Sequence, residues 1–235
     1  SVKVYNIETR KTKTMDTGDA TDTYIPRIKW TYADGQLAIM RMNRRQNTFD
    51  LLLANTASTV CNCILTDKDK AYIDESVLDN CVFLPDNKHF IYVGEEDGWN
   101  HIYLYATNGI LQRKLTNGDW DVTRILGFNS QTKTLFYQAA RTSPMNRDIY
   151  SVTLDGKIEK RLSSGNGTTN ATFSIECRYF EKKYSDANTP STYSICETAS
   201  GKTLRTINDN SVLKQRLQKN YNYHPKEFFT FKNES

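Results

Sequence analysis

No apolar run among the 235 residues approaches the ~20 that a membrane-crossing helix needs, and residues 1 to 20 lack the basic-then-apolar layout of a signal peptide. No membrane segment is therefore expected in this chain. The first residues, VKVYNIETRK, read as a strand in mid-flow, so the N-terminus of the gene product, with any targeting signal, is expected elsewhere. Charge of one sign is not concentrated either. The 31 basic and 27 acidic residues give +4 overall and are spread along the chain, with no block that could track a phosphate backbone, which argues against nucleic acid as a partner. Gly/Ser-rich or Pro-rich linkers and low-complexity tracts are missing too.

Catalytic and cofactor motifs are equally scarce. An α/β-type serine hydrolase carries its nucleophile in a G-x-S-x-G elbow, because the serine sits on a sharp turn where only small neighbours fit. No such pentapeptide occurs. The three histidines, His89, His101 and His224, form no HxH, HExxH or His/Cys cluster at ligand spacing, so no metal is expected. GNG at 165 to 167 precedes polar loop residues rather than a helix, which leaves no phosphate cradle and no expected cofactor. The five cysteines, Cys61, Cys63, Cys81, Cys177 and Cys196, are an odd number in a chain too large to need disulfide staples. Cys61 and Cys63 share a strand face without CxxC spacing, and all five read as free thiols acting as small apolar fillers.

What is present is 38% apolar residues and a repeat. ILTD begins at 64, KLTNG at 114, RLSSG at 161 and a degraded RTIND at 205, spaced 50, 47 and 44 residues apart. Each unit reads as four short strands ending in the motif, which is the pattern of a β-propeller blade and not of a βαβ unit. The expected strands are 24–31, 36–43, 48–54 and 59–66; then 77–84, 90–95, 100–105 and 110–115; then 122–128, 134–139, 148–153 and 157–162; then 172–175, 179–184, 192–197 and 203–207. Asp34-Gly35, Asp86-Asn87, Asn108-Gly109 and Asp155-Gly156 supply turns. The fold class is all-β, blades of four antiparallel strands, with residues 1–19 as the end of a blade and 20–68, 69–118, 119–166 and 167–209 as one blade each. In 210–235 one short helix, SVLKQRLQKN, capped by Asp209 or Asn210 and apolar along Val212, Leu213 and Leu217, precedes KEFFTFKNES as a further strand.

Two stretches invite a chemical interpretation. Glu95 and Glu96 in EEDGWNHIYLY resemble a paired-carboxylate site, but adjacent strand residues point to opposite faces, and a solvated strand end fits them better. Trp99, His101, Tyr103 and Tyr105 alternate with Asn100, Ile102 and Leu104, as in a strand covered on both sides, with His101 packing through hydrogen bonds. Arg44 and Arg45, in the loop between the second and third strands of their blade, are either solvated rim charges or contacts to a carboxylate or a partner domain. N-x-S/T sequons stand at Asn166, Asn170 and Asn233.

YIPRIKWT (24–31), RMNRRQNTFDLL (41–52), EEDGWNHIYLY (95–105), LTNGDWDVT (115–123), SDANTPSTYSI (185–195) and DNSVLKQRLQKN followed by KEFFTFKNES resemble, in order, the second half of the propeller of the dipeptidyl peptidase IV family. That family is a branch of the prolyl oligopeptidase clan. The resemblance implies about four blades plus two leading strands of an eight-bladed propeller. The parent enzyme would release Xaa-Pro or Xaa-Ala dipeptides from peptide N-termini, through a Ser-Asp-His triad in a C-terminal α/β-hydrolase domain, the propeller gating and shaping the substrate pocket. This chain would then hold no catalytic residue, with its own hydrolase domain and peptide substrates as partners, and an exported location (periplasmic, cell-surface or secreted).

The family anchors the substrate's amino terminus with glutamates in a VYEEE-like motif in the first half of its propeller. No such motif occurs here, so that role does not pass to Glu95 and Glu96. An apolar side of the pocket would come from the segment ahead of a blade's first strand, corresponding to Tyr72, Asp74, Glu75 and Ser76, with Tyr72 favoured. Blade faces left uncovered in half a ring would lead to a homodimer or an open arc. The competing function is a stand-alone propeller serving as a protein-interaction scaffold without peptidase activity.

Overall fold

The Tyr-, Leu- and Ile-rich segments fold as strands paired in chain order. The structure, a computed structural model, describes residues 1–19, 21–222 and 224–232. It contains two compact units, Ser1–Arg124 with Thr153–Lys157, and Ile125–Val152 with Ile158–Ser235. β1 (Lys3–Asn6) and β2 (Lys11–Thr14) form a hairpin. Four-stranded meanders follow: β3 (Thr23–Trp30), β4 (Gln36–Asn43), β5 (Thr48–Asn55) and β6 (Cys61–Lys68); then β7 (Val82–Phe83), β8 (His89–Gly94), β9 (His101–Ala106) and β10 (Leu111–Lys114). The third comprises β11 (Val122–Asn129), β12 (Thr134–Ala139), β13 (Asp148–Thr153) and β14 (Glu159–Arg161), and the fourth β15 (Thr168–Phe173), β16 (Tyr179–Asp186), β17 (Thr189–Glu197) and β18 (Thr203–Asn208). α1 (Ser211–Asn220) closes the order, and no helix among the described residues is long and apolar enough to cross a membrane.

Strands β4 and β5 are apolar on both faces because each face is covered, one by Val2 and Met15 and the other by the following sheet. In the first unit Met40, Met42, Phe49 and Leu51 of one sheet pack on Phe90, Tyr92 and Tyr103 of the next, with the Phe49 and Tyr92 rings parallel at 5.7 Å. Within the second unit Phe136, Ile149, Leu162, Cys177, Phe180 and Cys196 form a separate core. Outer strands β10 and β14 are short and polar, which blunts their free edges.

The repeated motif has a chemical basis. Its hydroxyl bonds a polar residue of the third strand in each of three sheets: Thr66 Oγ1 to Asp50 at 2.8 Å, Thr116 Oγ1 to His101 Nδ1 at 3.0 Å, and Ser163 Oγ to Asp148 at 2.8 Å. In two of them the same oxygen accepts the next backbone N–H, Ile102 at 3.0 Å and Ile149 at 2.9 Å. The preceding leucines, Leu115 and Leu162, donate their N–H to Ile102 and Ile149, each at 2.7 Å. In the degraded fourth copy Thr206 faces Ser194 instead of an acid or a histidine.

Several sequence expectations are corrected. The first half of the strand expected over 77–84 belongs to a 3-10 helix, Glu75–Asn80, leaving Val82–Phe83 as strand, because Asp74 caps the helix and Leu78 is buried beneath it. The strand expected over 172–175 lies at 168–173, since Ser174 to Cys177 turn and leave Ile175 in solvent. KEFFTFKNES is not a strand over 226–232: Asn188 holds the Lys226 backbone at 2.7 and 3.0 Å, and Phe228, Phe229 and Phe231 stay exposed; residues 233–235, with the Asn233 sequon, lie outside the described residues. Helix α1 begins where expected, but its apolar side is not buried; Asp209 accepts the Ser211 N–H at 2.9 Å, while Asn210 turns its amide to the Ser191 carbonyl. All five cysteines are free, Cys81, Cys177 and Cys196 are buried fillers, and Cys63 is exposed on an outer strand, so the filler role fails there.

All four expected turns place their second residue in the left-handed region: Gly35, Asn87, Gly109 and Gly156, at φ 65, 58, 88 and 70°. Gly109 is the most constrained, since a Cβ there would run into the Ile64 carbonyl oxygen of the neighbouring sheet. Gly109→Ala is expected to lower the unfolding free energy by about 2–4 kcal/mol in urea titration, combining left-handed strain with overpacking. Asn87→Gly should fall within about 1 kcal/mol of wild type.

Candidate functional site

The segment between β6 and β7 is a strap fixed at both ends. Asp69 starts it with an Asx turn, accepting the Ala71 and Tyr72 N–H at 2.6 and 3.0 Å, and these bonds hold its carboxyl below the usual carboxylate range. Its backbone bonds the loop joining β4 to β5: Asp69 N–H donates to the Asn47 carbonyl at 3.1 Å, and Ile73 N–H to the Gln46 carbonyl at 2.7 Å. That loop is closed on itself by Asn43, whose side chain accepts the Asn47 and Thr48 N–H at 3.0 and 3.2 Å and donates to the Asn47 side chain at 2.7 Å. Ile73 is buried, Asp74 caps the 3-10 helix by accepting the Ser76 N–H at 2.8 Å, and Leu78 is buried one turn later. At the far end Arg27 pairs with Asp79 at 2.9 Å, holding that carboxyl low, and Lys29 Nζ donates to the Asp79 and Cys81 carbonyls, each at 2.9 Å.

Of the expected pocket residues, Tyr72 is half exposed, Asp74 and Ser76 are exposed, and Glu75 is partly covered. Arg44 and Arg45 are both exposed, and Arg44 lies 4.0 Å from the equally exposed Asp22, a pair that contributes little to stability. Backbone bonds bring these two groups together, because Gln46 and Asn47, directly after Arg45, hold the strap on either side of Tyr72. Gln46, Asn43 and Asn47 were missed in the sequence. The Asx turn at Asp69 was missed as well, and a bond between residues 46 and 73 leaves no local signature.

The surroundings are acidic. Tyr92 donates to Asp67 at 2.6 Å, and burial, with the Asp67 charge, lifts its phenol well above 10. Partial burial and the charges of Asp121, Asp69 and Asp67 raise Glu95. Glu95 and Glu96 lie in the loop after β8, not on the strand, and they part company: Glu96 accepts the Tyr105 hydroxyl at 3.2 Å. Asp97 pairs with Lys114. Trp99 belongs to the same loop and is partly exposed, so the doubly covered strand starts at His101. Among the described residues no group of three or more His, Cys, Asp or Glu could hold a metal. An exposed ring on a strap bonded at both ends, in acidic surroundings, suits binding.

The dipeptidyl peptidase IV (DPP IV) N-terminal region family model matches residues 1–191. The chain belongs to this family. The crystal structure of Porphyromonas gingivalis dipeptidyl peptidase 4 shares 39% identity and superposes with a TM-score of 0.91 over 97% of this chain and 32% of its own. A putative dipeptidyl aminopeptidase IV from Bacteroides ovatus aligns over 87% of this chain and 32% of its own, with 25% identity and a TM-score of 0.75. A probable dipeptidyl peptidase 4 of Aspergillus flavus is 26% identical over 93% of this chain and 29% of its own length. The chain thus spans about a third of the relatives it matches, and its meanders are blades of the DPP IV N-terminal propeller.

His101 is fully buried in this propeller region and uses both ring nitrogens. Nε2 faces the Gly118 carbonyl at 2.9 Å and must carry the proton, which leaves Nδ1 to accept from Thr116. The Trp120 ring meets the imidazole edge-on at 5.1 Å. Burial depresses its basicity below the ordinary value near 6.5. The neutral form is thus the folded form, and the contribution of His101 is complete above about pH 6.5 and declines as pH falls from there through the folded-state value. Between about pH 7.5 and 5.5 wild type should lose stability in urea titration, and the slope should flatten in His101→Gln.

Proposed function

We propose that this chain forms part of the substrate chamber of a dipeptidyl peptidase IV-like serine exopeptidase that releases Xaa-Pro or Xaa-Ala dipeptides from peptide N-termini. The strap from Asp69 to Asn80 gives one wall of the peptide site, and the propeller limits access. The match of 97% of the chain to Porphyromonas gingivalis dipeptidyl peptidase 4 at a TM-score of 0.91 carries this reading. The local geometry supports it: Tyr72 stands half exposed on a backbone anchored at both ends. Hydrolysis itself belongs to a partner α/β-hydrolase domain, because the chain contains no G-x-S-x-G elbow. Arg44 and Arg45, exposed beside the strap, would meet that domain or the peptide's acidic groups.

The 235-residue chain alone is expected to leave Gly-Pro-p-nitroanilide intact and to take no label from a fluorophosphonate serine reagent. Protein expressed from the whole reading frame should hydrolyse the same substrate. In that protein Tyr72→Ala should raise KM roughly 5- to 30-fold, the loss of about 1–2 kcal/mol of apolar contact, with kcat within about twofold. Absence of hydrolysis and labelling in the longer protein would favour an interaction scaffold instead.

A further inference from the structure

We propose that Gln46, locked onto Tyr24, is the positioning residue of the strap wall; the inference rests on the reading of Tyr72 given above. Gln46 sits at φ 56°, in the left-handed region that a long side chain enters at a cost and that Gly or Asn would occupy more easily. Two interactions hold it there. Its carbonyl accepts the Ile73 N–H at 2.7 Å, immediately next to Tyr72, and its side-chain amide donates to the Tyr24 hydroxyl. That hydroxyl in turn points its proton at Met42 Sδ, 3.6 Å away, and the Met42 side chain is wholly buried in the core. A continuous path of contacts therefore runs from the buried sheet through Tyr24 and Gln46 to the backbone that presents Tyr72. Tyr24 lies at the start of β3 and Gln46 in the loop beyond β4, so the phenol fixes the loop that holds the strap.

The role predicted is positional. Gln46 itself contacts no reacting atom. Its loss should leave the strap in place, held by Arg27, Lys29 and Asn47, while the ring of Tyr72 samples a wider range of positions. Gln46→Gly would keep the carbonyl and relieve the φ strain but adds backbone freedom, so the variant that isolates the amide–phenol bond is the one that leaves residue 46 unchanged. Tyr24→Phe removes the same bond from the other side with a minimal change of volume.

Amide hydrogen exchange on the 235-residue chain reads the first consequence. Gln46→Gly and Tyr24→Phe should each speed exchange at Ile73 roughly five- to tenfold, and the double variant about as much as the larger single effect, since each change removes the same amide–phenol bond. In the longer protein the same variants should raise KM several-fold for Gly-Pro-p-nitroanilide with kcat unchanged. Unaltered exchange at Ile73, additive effects in the double variant, or a fall in Tm with exchange and KM unchanged would each overturn the proposal. A wild-type protein without hydrolysis would sink the peptidase reading instead, and the exchange comparison would still decide whether Gln46 holds the wall.

Discussion

One hydrogen bond, repeated, ties the outer strand of these sheets to its neighbour: a Ser or Thr hydroxyl at the end of the outer strand bonds an Asp or His on the third strand. Thr66 with Asp50, Thr116 with His101 and Ser163 with Asp148 form the three copies. A short outer strand has a free edge and little burial, and would fray without a bond of this kind. Where the oxygen also accepts a backbone N–H, as Thr116 and Ser163 do, one side chain satisfies two polar groups in a place water does not reach freely.

The position of this bond matters because the chain leaves the outer strand there to start the next blade. After Lys68 it runs into the strap, and after Thr116 into the turn that packs Trp120 on His101. Side chains along these connections are fixed by anchors of several kinds, including a carboxylate cap at Asp74, an ion pair at Asp79 and backbone bonds to Gln46 and Asn47. Rigidity at such a place is what a binding wall requires, since a pre-ordered ring loses less entropy when a ligand docks.

Much of the blade plan was legible in the sequence. The 50-, 47- and 44-residue spacing set the blades, and each Asx-Gly or Asp-Asn turn gave the left-handed residue that a tight hairpin needs. Expectation failed where local pattern competes with tertiary contact. VLDNCVFL carries strand-forming residues, yet Asp74 and the buried Leu78 draw its first half into a 3-10 helix, and Lys29 from another strand fixes the exit. KEFFTF has the composition of a strand, but Phe228, Phe229 and Phe231 stay in solvent. Residues 72–76 entered as a candidate through family resemblance alone, and their anchors were not legible, because Gln46 and Ile73 meet only in the folded chain. Glu95 and Glu96, the most suggestive pair in the sequence, turned out to belong to separate environments.

The central proposal is that the strap would face the N-terminal dipeptide of a bound peptide. A photoreactive Xaa-Pro dipeptide analogue, cross-linked to the full-length protein and mapped by peptide mass spectrometry, tests it most directly. The account predicts labelling within residues 71–76, competed away by unmodified dipeptide. Specific labelling elsewhere, with this segment unmodified, would contradict it.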